Sequence, residues 1–151
     1  MKSWESSLPY FTRKELECRH CGTIKLDLIF AAALVTLRHT WRGPLTPTSI
    51  CRCPYHNKNE RGHPNSLHLT KNPVHQTEGC AAIDIAWELW SKEIQLEFAQ
   101  LAWSKGWSVG LNKIFIHLDA RYLIKNTGLA QKVFGYDNWH FPFSQYDVRG
   151  S

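Results

Sequence analysis

Between Ile114 and Asp119 the chain alternates strictly, and this short run constrains the fold more than any other. Ile114, Ile116 and Leu118 fall on one side of an extended strand, and Phe115, His117 and Asp119 fall on the other. A period of two with one apolar face commits the segment to a sheet that has a core behind it. The opposite face then presents an imidazole beside a carboxylate. That pairing is expected where a metal ligand sits next to a general base, or next to a group that orients the ligand. A second segment, Ala81 to Trp87, reads as a buried strand with Asp84 set among Ala82, Ile83 and Ile85. A carboxylate in such surroundings is costly to leave unpaired, so Asp84 needs a metal, a cation or backbone amides.

The rest of the chain organises around these strands as one α+β unit. Thr12 and Glu15 have the spacing of a capping box at the start of a short helix. Leu26, Ile29, Phe30, Ala33, Leu34, Leu37 and Trp41 recur at helical spacing until Gly43 and Pro44 end the pattern. Leu45 to Ser49 is short and β-capable, and Pro47 restricts it to an edge or bulged strand. Residues 53–80 are rich in Pro, Asn, Gly, His and Lys without periodicity, so a long loop is expected there, and long loops in compact domains tend to be functional. Ser91 suits the cap of a helix with Ile94, Phe98, Leu101 and Ala102 facing inward. Trp107 to Gly110 and Ile114 to Leu118 then read as paired strands.

At 151 residues, 43% of them hydrophobic, the chain can bury one substantial core, so a single domain over 1–151 is expected. It has no apolar run of the roughly 18 residues that a transmembrane helix needs. Met1 to Ser7 lacks the apolar core of a signal peptide, so synthesis in the cytoplasm without export is expected. A net charge of +5 favours polyanionic surroundings, among them an acidic cell wall. Lys and Arg are scattered rather than blocked, which argues against a nucleic-acid-binding arm. Five cysteines, Cys18, Cys21, Cys51, Cys53 and Cys80, are an odd number for a disulfide framework. Reduced or partly bridged structural thiols, a Cys-rich metal site and redox chemistry are all open readings.

Four segments carry chemistry in order: Ser49 to Arg52, Pro64 to His68 with Ser66 inside it, Ala81 to Asp84, and Phe115 to Asp119. Two imidazoles and one carboxylate suit Zn²⁺ with a fourth position left for water. The ordered set resembles the zinc D-Ala-D-Ala carboxypeptidase and L-Ala-D-Glu endopeptidase family of peptidoglycan metallopeptidases. That family includes phage endolysins and shares its fold with the hedgehog signalling domain. The resemblance covers about residues 10–121 and leaves 122–151 as a C-terminal extension. It implies a central, mostly antiparallel sheet with flanking helices, and a zinc ion held by His68, Asp84 and His117. It implies Asp119 as general base, Arg52 on a substrate carboxylate or carbonyl, and Ser66 on substrate or orienting His68. The substrates implied are peptidoglycan stem or cross-link peptides, cut by a monomer of phage or prophage origin acting at the bacterial wall, with no nucleic acid involved.

Two departures leave alternatives. Asp84 follows His68 at a longer spacing than the family shows, which points to an insertion around Leu69 to Glu78 and makes His75, inside it, a rival ligand. A late pair, Asp137 and His140, resembles the acid and third ligand of other members and competes with Asp119 and His117. A catalytically inactive, metal-stabilised binding or virion-structural domain of the same fold is the alternative function. A Cys-rich nucleic-acid module is a more distant one.

Overall fold

Thr12 opens the first helix as its spacing predicts. In a computed structural model describing residues 8–140 and 142–150, the Thr12 hydroxyl accepts from the Glu15 amide at 3.2 Å, while Glu15 accepts from the Thr12 amide at 2.8 Å. The segment Met1 to Ser7, on which the signal-peptide reading rests, lies outside the described residues. Helix α1 spans Arg13–Leu16 and α2 spans Leu28–Trp41. Asp27 caps α2 by accepting from the amides of Ile29 and Phe30, and Arg42 closes it in the left-handed region, at φ 60°. Phe30, Leu34 and Leu37 form the buried face of α2, whereas Ile29 turns outward.

Among the described residues five strands follow: β1 Pro47–Ser49, β2 Ala82–Ala86, β3 Ser108–Leu111, β4 Phe115–Asp119 and β5 Val133–Gly135. They form one sheet in the order β1-β2-β4-β3-β5. Neighbours pair antiparallel, except that β5 runs parallel to β3. The sheet is thus mixed but mostly antiparallel, with helices flanking it. Pro47 sits on the edge strand, where its missing N–H costs no ladder bond, and the register shifts between Pro47 and Ser49. Ile83, Ile85, Val109, Leu111, Ile116 and Leu118 all point into one fully buried core with Phe30, Leu34 and Phe98. That leaves Asp84, Gly110, His117 and Asp119 on the other face.

Two elements differ from the sequence-based expectation. Residues 53–80 are not loop throughout, because α3 occupies Pro54–Asn59 with Pro54 in the first turn and the Cys53 sulfur accepting from the His56 amide. Helix α4, Lys92–Ser104, is capped by Ser91 as expected but buries Gln95, Phe98, Ala99 and Ala102. Ile94 is 44% exposed. The rotation follows from Gln95, whose side-chain amide donates 2.8 Å to the buried Trp87 carbonyl and so holds position 95 inward. The C-terminal extension is also structured: it supplies β5 to the sheet and helix α5, Gln145–Arg149. Gln100 of α4 donates to the Asp147 carbonyl of α5 at 2.8 Å.

The stretch between His68 and Asp84 closes on itself. Asn72 and Thr77 exchange backbone hydrogen bonds of 3.2 and 3.1 Å. Its ends are pinned by the Thr70 amide on the Arg52 carbonyl and the Ala81 amide on the Leu67 carbonyl.

Candidate metal centre

Register places the first two candidate ligands. Asp84 of β2 and His117 of β4 are direct partners across an antiparallel pair, so their side chains stand on the same face at short range. His117 Nδ1 lies 2.9 Å from Asp84 Oδ1. The third arrives from the segment after α3. The Ser66 hydroxyl accepts from the His68 amide at 3.1 Å, and the Arg52 amide donates to the His68 carbonyl at 2.8 Å. His68 Nδ1 lies 2.8 Å from the Ile50 carbonyl, an oxygen that can only accept, so Nδ1 carries the proton and Nε2 is left with its lone pair. His68 is 2% exposed, and its Nε2 has no hydrogen-bond partner among the described residues. The atom does approach Asp84 Oδ1 at 3.2 Å, but not in hydrogen-bonding geometry. Ligand atoms of His68, Asp84 and His117 all lie within 4.8 Å of one another.

A buried, bare imidazole nitrogen facing a carboxylate is expensive unless something occupies the space between. Two neutral nitrogens and one carboxylate oxygen are the donor set that a catalytic Zn²⁺ takes, with one position left open. The residues therefore fit the ion that the sequence implies.

Electrostatics favour the ligand forms of Asp84 and His68, whereas His117 must give up a proton to bind a metal. Burial works to raise the Asp84 pKa, but the imidazoles of His68 and His117 hold it far below the usual carboxylate range. Burial lowers His68, which therefore stays neutral despite Asp84. For His117 burial is outweighed by its hydrogen bonds to Asp119 and Asp84, and the pKa rises to about 9. Without metal, His117 is an imidazolium held between two carboxylates.

The surroundings fix each ligand in turn. His117 Nε2 lies 2.8 Å from Asp119 Oδ2, the arrangement in which a carboxylate holds a ligating imidazole in one tautomer. Asp119 is fully buried. Its oxygens also accept from Arg121: the amide at 3.1 Å, Nε at 2.8 Å and Nη2 at 2.7 Å. Arg52 donates through Nη2 to Asp84 Oδ2 at 3.1 Å and through Nε to the Ser49 hydroxyl at 2.8 Å. Asp84 thus gives one oxygen to the guanidinium and turns the other towards the imidazoles. Gly110, the β3 partner of His117, has no side chain, and this lets Phe134 of β5 lie over the sheet with its ring 5.9 Å from that of His117.

These groups open into a cleft of about 490 Å³. Arg52, Ser66, His68, Asp84, His117 and Asp119 all line it, and so does His75, which stands outside the converging trio. Asp137 and His140 do not line it. Asp137 is exposed, and His140 borders a separate cavity of about 440 Å³ with Trp139 and Phe143. Glu60, His63, Lys132, Phe134 and Tyr136 also border the cleft and were not foreseen. For Phe134 and Tyr136 a signal existed, since aromatic residues two apart in a β-capable run share a face. For the Ile50 carbonyl there was none, because a backbone acceptor leaves no mark in sequence. Burial, then the charge of Asp84, raises the Tyr136 pKa, so its phenol stays protonated as a donor in the cleft wall.

No curated protein and no solved structure matches the chain. The family model described as Peptidase M15 matches residues 9–119, a span that starts before α1 and closes on Asp119. With that match covering every residue of the His-Asp-His trio, the chain belongs to the zinc D-Ala-D-Ala carboxypeptidase-like peptidase M15 family.

Proposed function

We propose that the protein is a zinc-dependent peptidase that hydrolyses peptide bonds in the stem or cross-link peptides of bacterial peptidoglycan. The observation that carries this reading is the unpartnered Nε2 of His68, buried opposite Asp84 and His117 at the floor of the cleft. When bound there, zinc would supply Lewis acidity to a scissile carbonyl and make a water molecule acidic enough to attack it. His68, Asp84 and His117 would hold the ion. Arg52 fixes the carboxylate of Asp84 and, from the cleft wall, offers a guanidinium to a substrate carboxylate or carbonyl. Ser66 sets the turn that delivers His68.

Asp119 orients His117. To serve as general base as well, it would have to be released by Arg121, because both oxygens are already occupied. The phenol of Tyr136 is a further donor for an oxyanion. The same proposal takes residues 1–151 as one peptidase domain, with β5 from the extension completing the sheet beside the site. It also takes the chain as a monomeric phage-type lysin, supported by the ordered motif and the net charge of +5. No helix among the described residues is long and apolar enough to cross a membrane.

The test is mass spectrometry of purified muropeptides incubated with the zinc-loaded protein. Shortened stem or cross-link peptides should appear, vanish with chelator and return with added zinc. Zinc-loaded protein that leaves every such peptide intact would refute the peptidase reading and leave a metal-stabilised binding or virion-structural domain.

A further inference from the structure

The five cysteines divide into a pair and a trio. Cys51 and Cys80 are buried together, with their sulfurs 2.9 Å apart. The remaining three, Cys18, Cys21 and Cys53, bring their sulfurs within 4.8 Å of one another, and none of them is in a disulfide. They come from two separate segments: the turn after α1 and the residue that caps α3.

The local backbone is shaped for this meeting. Gly22 adopts φ +73° and donates to the Cys18 carbonyl at 2.8 Å, folding Cys18 and Cys21 into one tight turn. The Cys53 amide donates to the Cys18 sulfur at 3.3 Å, and the His56 amide donates to the Cys53 sulfur at 3.4 Å. Burial raises the Cys18 thiol, and the Cys53 amide aimed at its sulfur works against that rise, towards the thiolate form that binds metal. Three clustered thiols, two of them with amides directed at the sulfur, spaced as C-x-x-C plus a distant third, form a soft ligand set. Cys18 is buried, Cys53 half-buried and Cys21 exposed, so the cluster reaches solvent, where water or a nearby imidazole can complete a tetrahedron. His20, inside the turn, stacks on Tyr55 of α3 with ring centroids 4.3 Å apart.

We propose that Cys18, Cys21 and Cys53 bind a second, structural zinc ion, separate from the His68-Asp84-His117 centre. The ion would clasp the α1 turn to the start of α3. Cys53 directly follows Arg52, whose backbone holds His68 and whose side chain holds Asp84. The clasp would therefore anchor the segment on which the first centre depends.

The test is metal analysis of the reduced full-length protein together with His117→Ala, Cys21→Ser and their double variant. Cys21 is exposed, so its replacement leaves the core intact. Wild type should carry two zinc ions per chain, each single variant one, and the double variant none. Cobalt-substituted His117→Ala should show a near-ultraviolet sulfur-to-cobalt charge-transfer band that Cys21→Ser lacks. Chelator should lower the melting temperature of His117→Ala but not that of the double variant. Zinc-free His117→Ala with all three thiols open to a thiol reagent would overturn the proposal. A disulfide among Cys18, Cys21 and Cys53 in freshly isolated protein would overturn it equally.

Discussion

Replacing Asp119 by Asn separates orienting from proton transfer. The carboxylate accepts from four donors: His117 Nε2 and, from Arg121, the amide, Nε and Nη2. An amide of the same shape has one oxygen, so its NH₂ must face donors wherever it is placed. In place of Oδ1 it confronts the Arg121 amide and Nε. In place of Oδ2 it confronts Arg121 Nη2 and His117. Each buried donor left without an acceptor costs about 1–3 kcal/mol. His117 can escape by moving its proton to Nδ1 and accepting at Nε2, but that tautomer removes the lone pair that would bind metal. Zinc affinity, measured by competition with a chromophoric chelator, should therefore fall about 10- to 100-fold, the range for losing a residue that orients a ligand. Turnover measured at saturating zinc should largely recover. If affinity is unchanged and turnover at saturating zinc drops about 10²- to 10⁴-fold, Asp119 is the general base and the orienting argument fails.

Zinc binding should also release a proton. The pKa of His117 rises to about 9 while burial keeps His68 neutral, so the metal displaces one proton, from Nδ1 of His117. The groups facing this ring are Asp84, Asp119, His68 and Phe134. Apparent affinity should climb by about tenfold per pH unit from neutrality to about 9 and then level off. Affinity flat across that window would refute it. In metal-free protein the sign is opposite: the stability from this raised pKa is full below about 6.5 and lost as pH passes 9. Gly110→Ala would put a Cβ 2.6 Å from Phe134 Cζ and 3.1 Å from His117 Cβ, forcing the ring outward. A cost of about 1–3 kcal/mol is expected, seen as a lower melting temperature, and an unchanged one would contradict this packing. His75→Ala and His140→Ala should both retain zinc, and loss of the metal in either would displace the trio.

What the sequence disclosed follows from how local each signal is. Alternation in β4 and the apolar frame of Asp84 are short-range patterns, and the strands lie where those patterns put them. The Thr12 box needs only four residues of context. Helix α3 stayed hidden because Pro, Asn and Lys dominate it and its cap is a cysteine, not one of the usual side chains. The true inner face of α4 depends on Trp87 offering a carbonyl to Gln95, a partner that periodicity does not contain. At the site, convergence of His68, Asp84 and His117 was legible as an ordered motif. That the aromatic face of β5 would wall the site was not, since it depends on β5 pairing with β3. The filling of both Asp119 oxygens depends on Arg121 turning back on its own strand, which alternation does not show.

The closed stretch between His68 and Asp84 has a consequence for shortening the chain there. Its Asn72 side chain is almost wholly buried and donates backwards to the carbonyls of Asn65 and Ser66, at 2.8 and 3.2 Å, bracing the turn that carries His68. An excursion that lengthens the chain between two ligands thus also props up the first of them. Trimming it would remove that prop along with the excess length. Loop and turn behave as one structural unit, and a variant that alters only the loop should misalign the His68 imidazole.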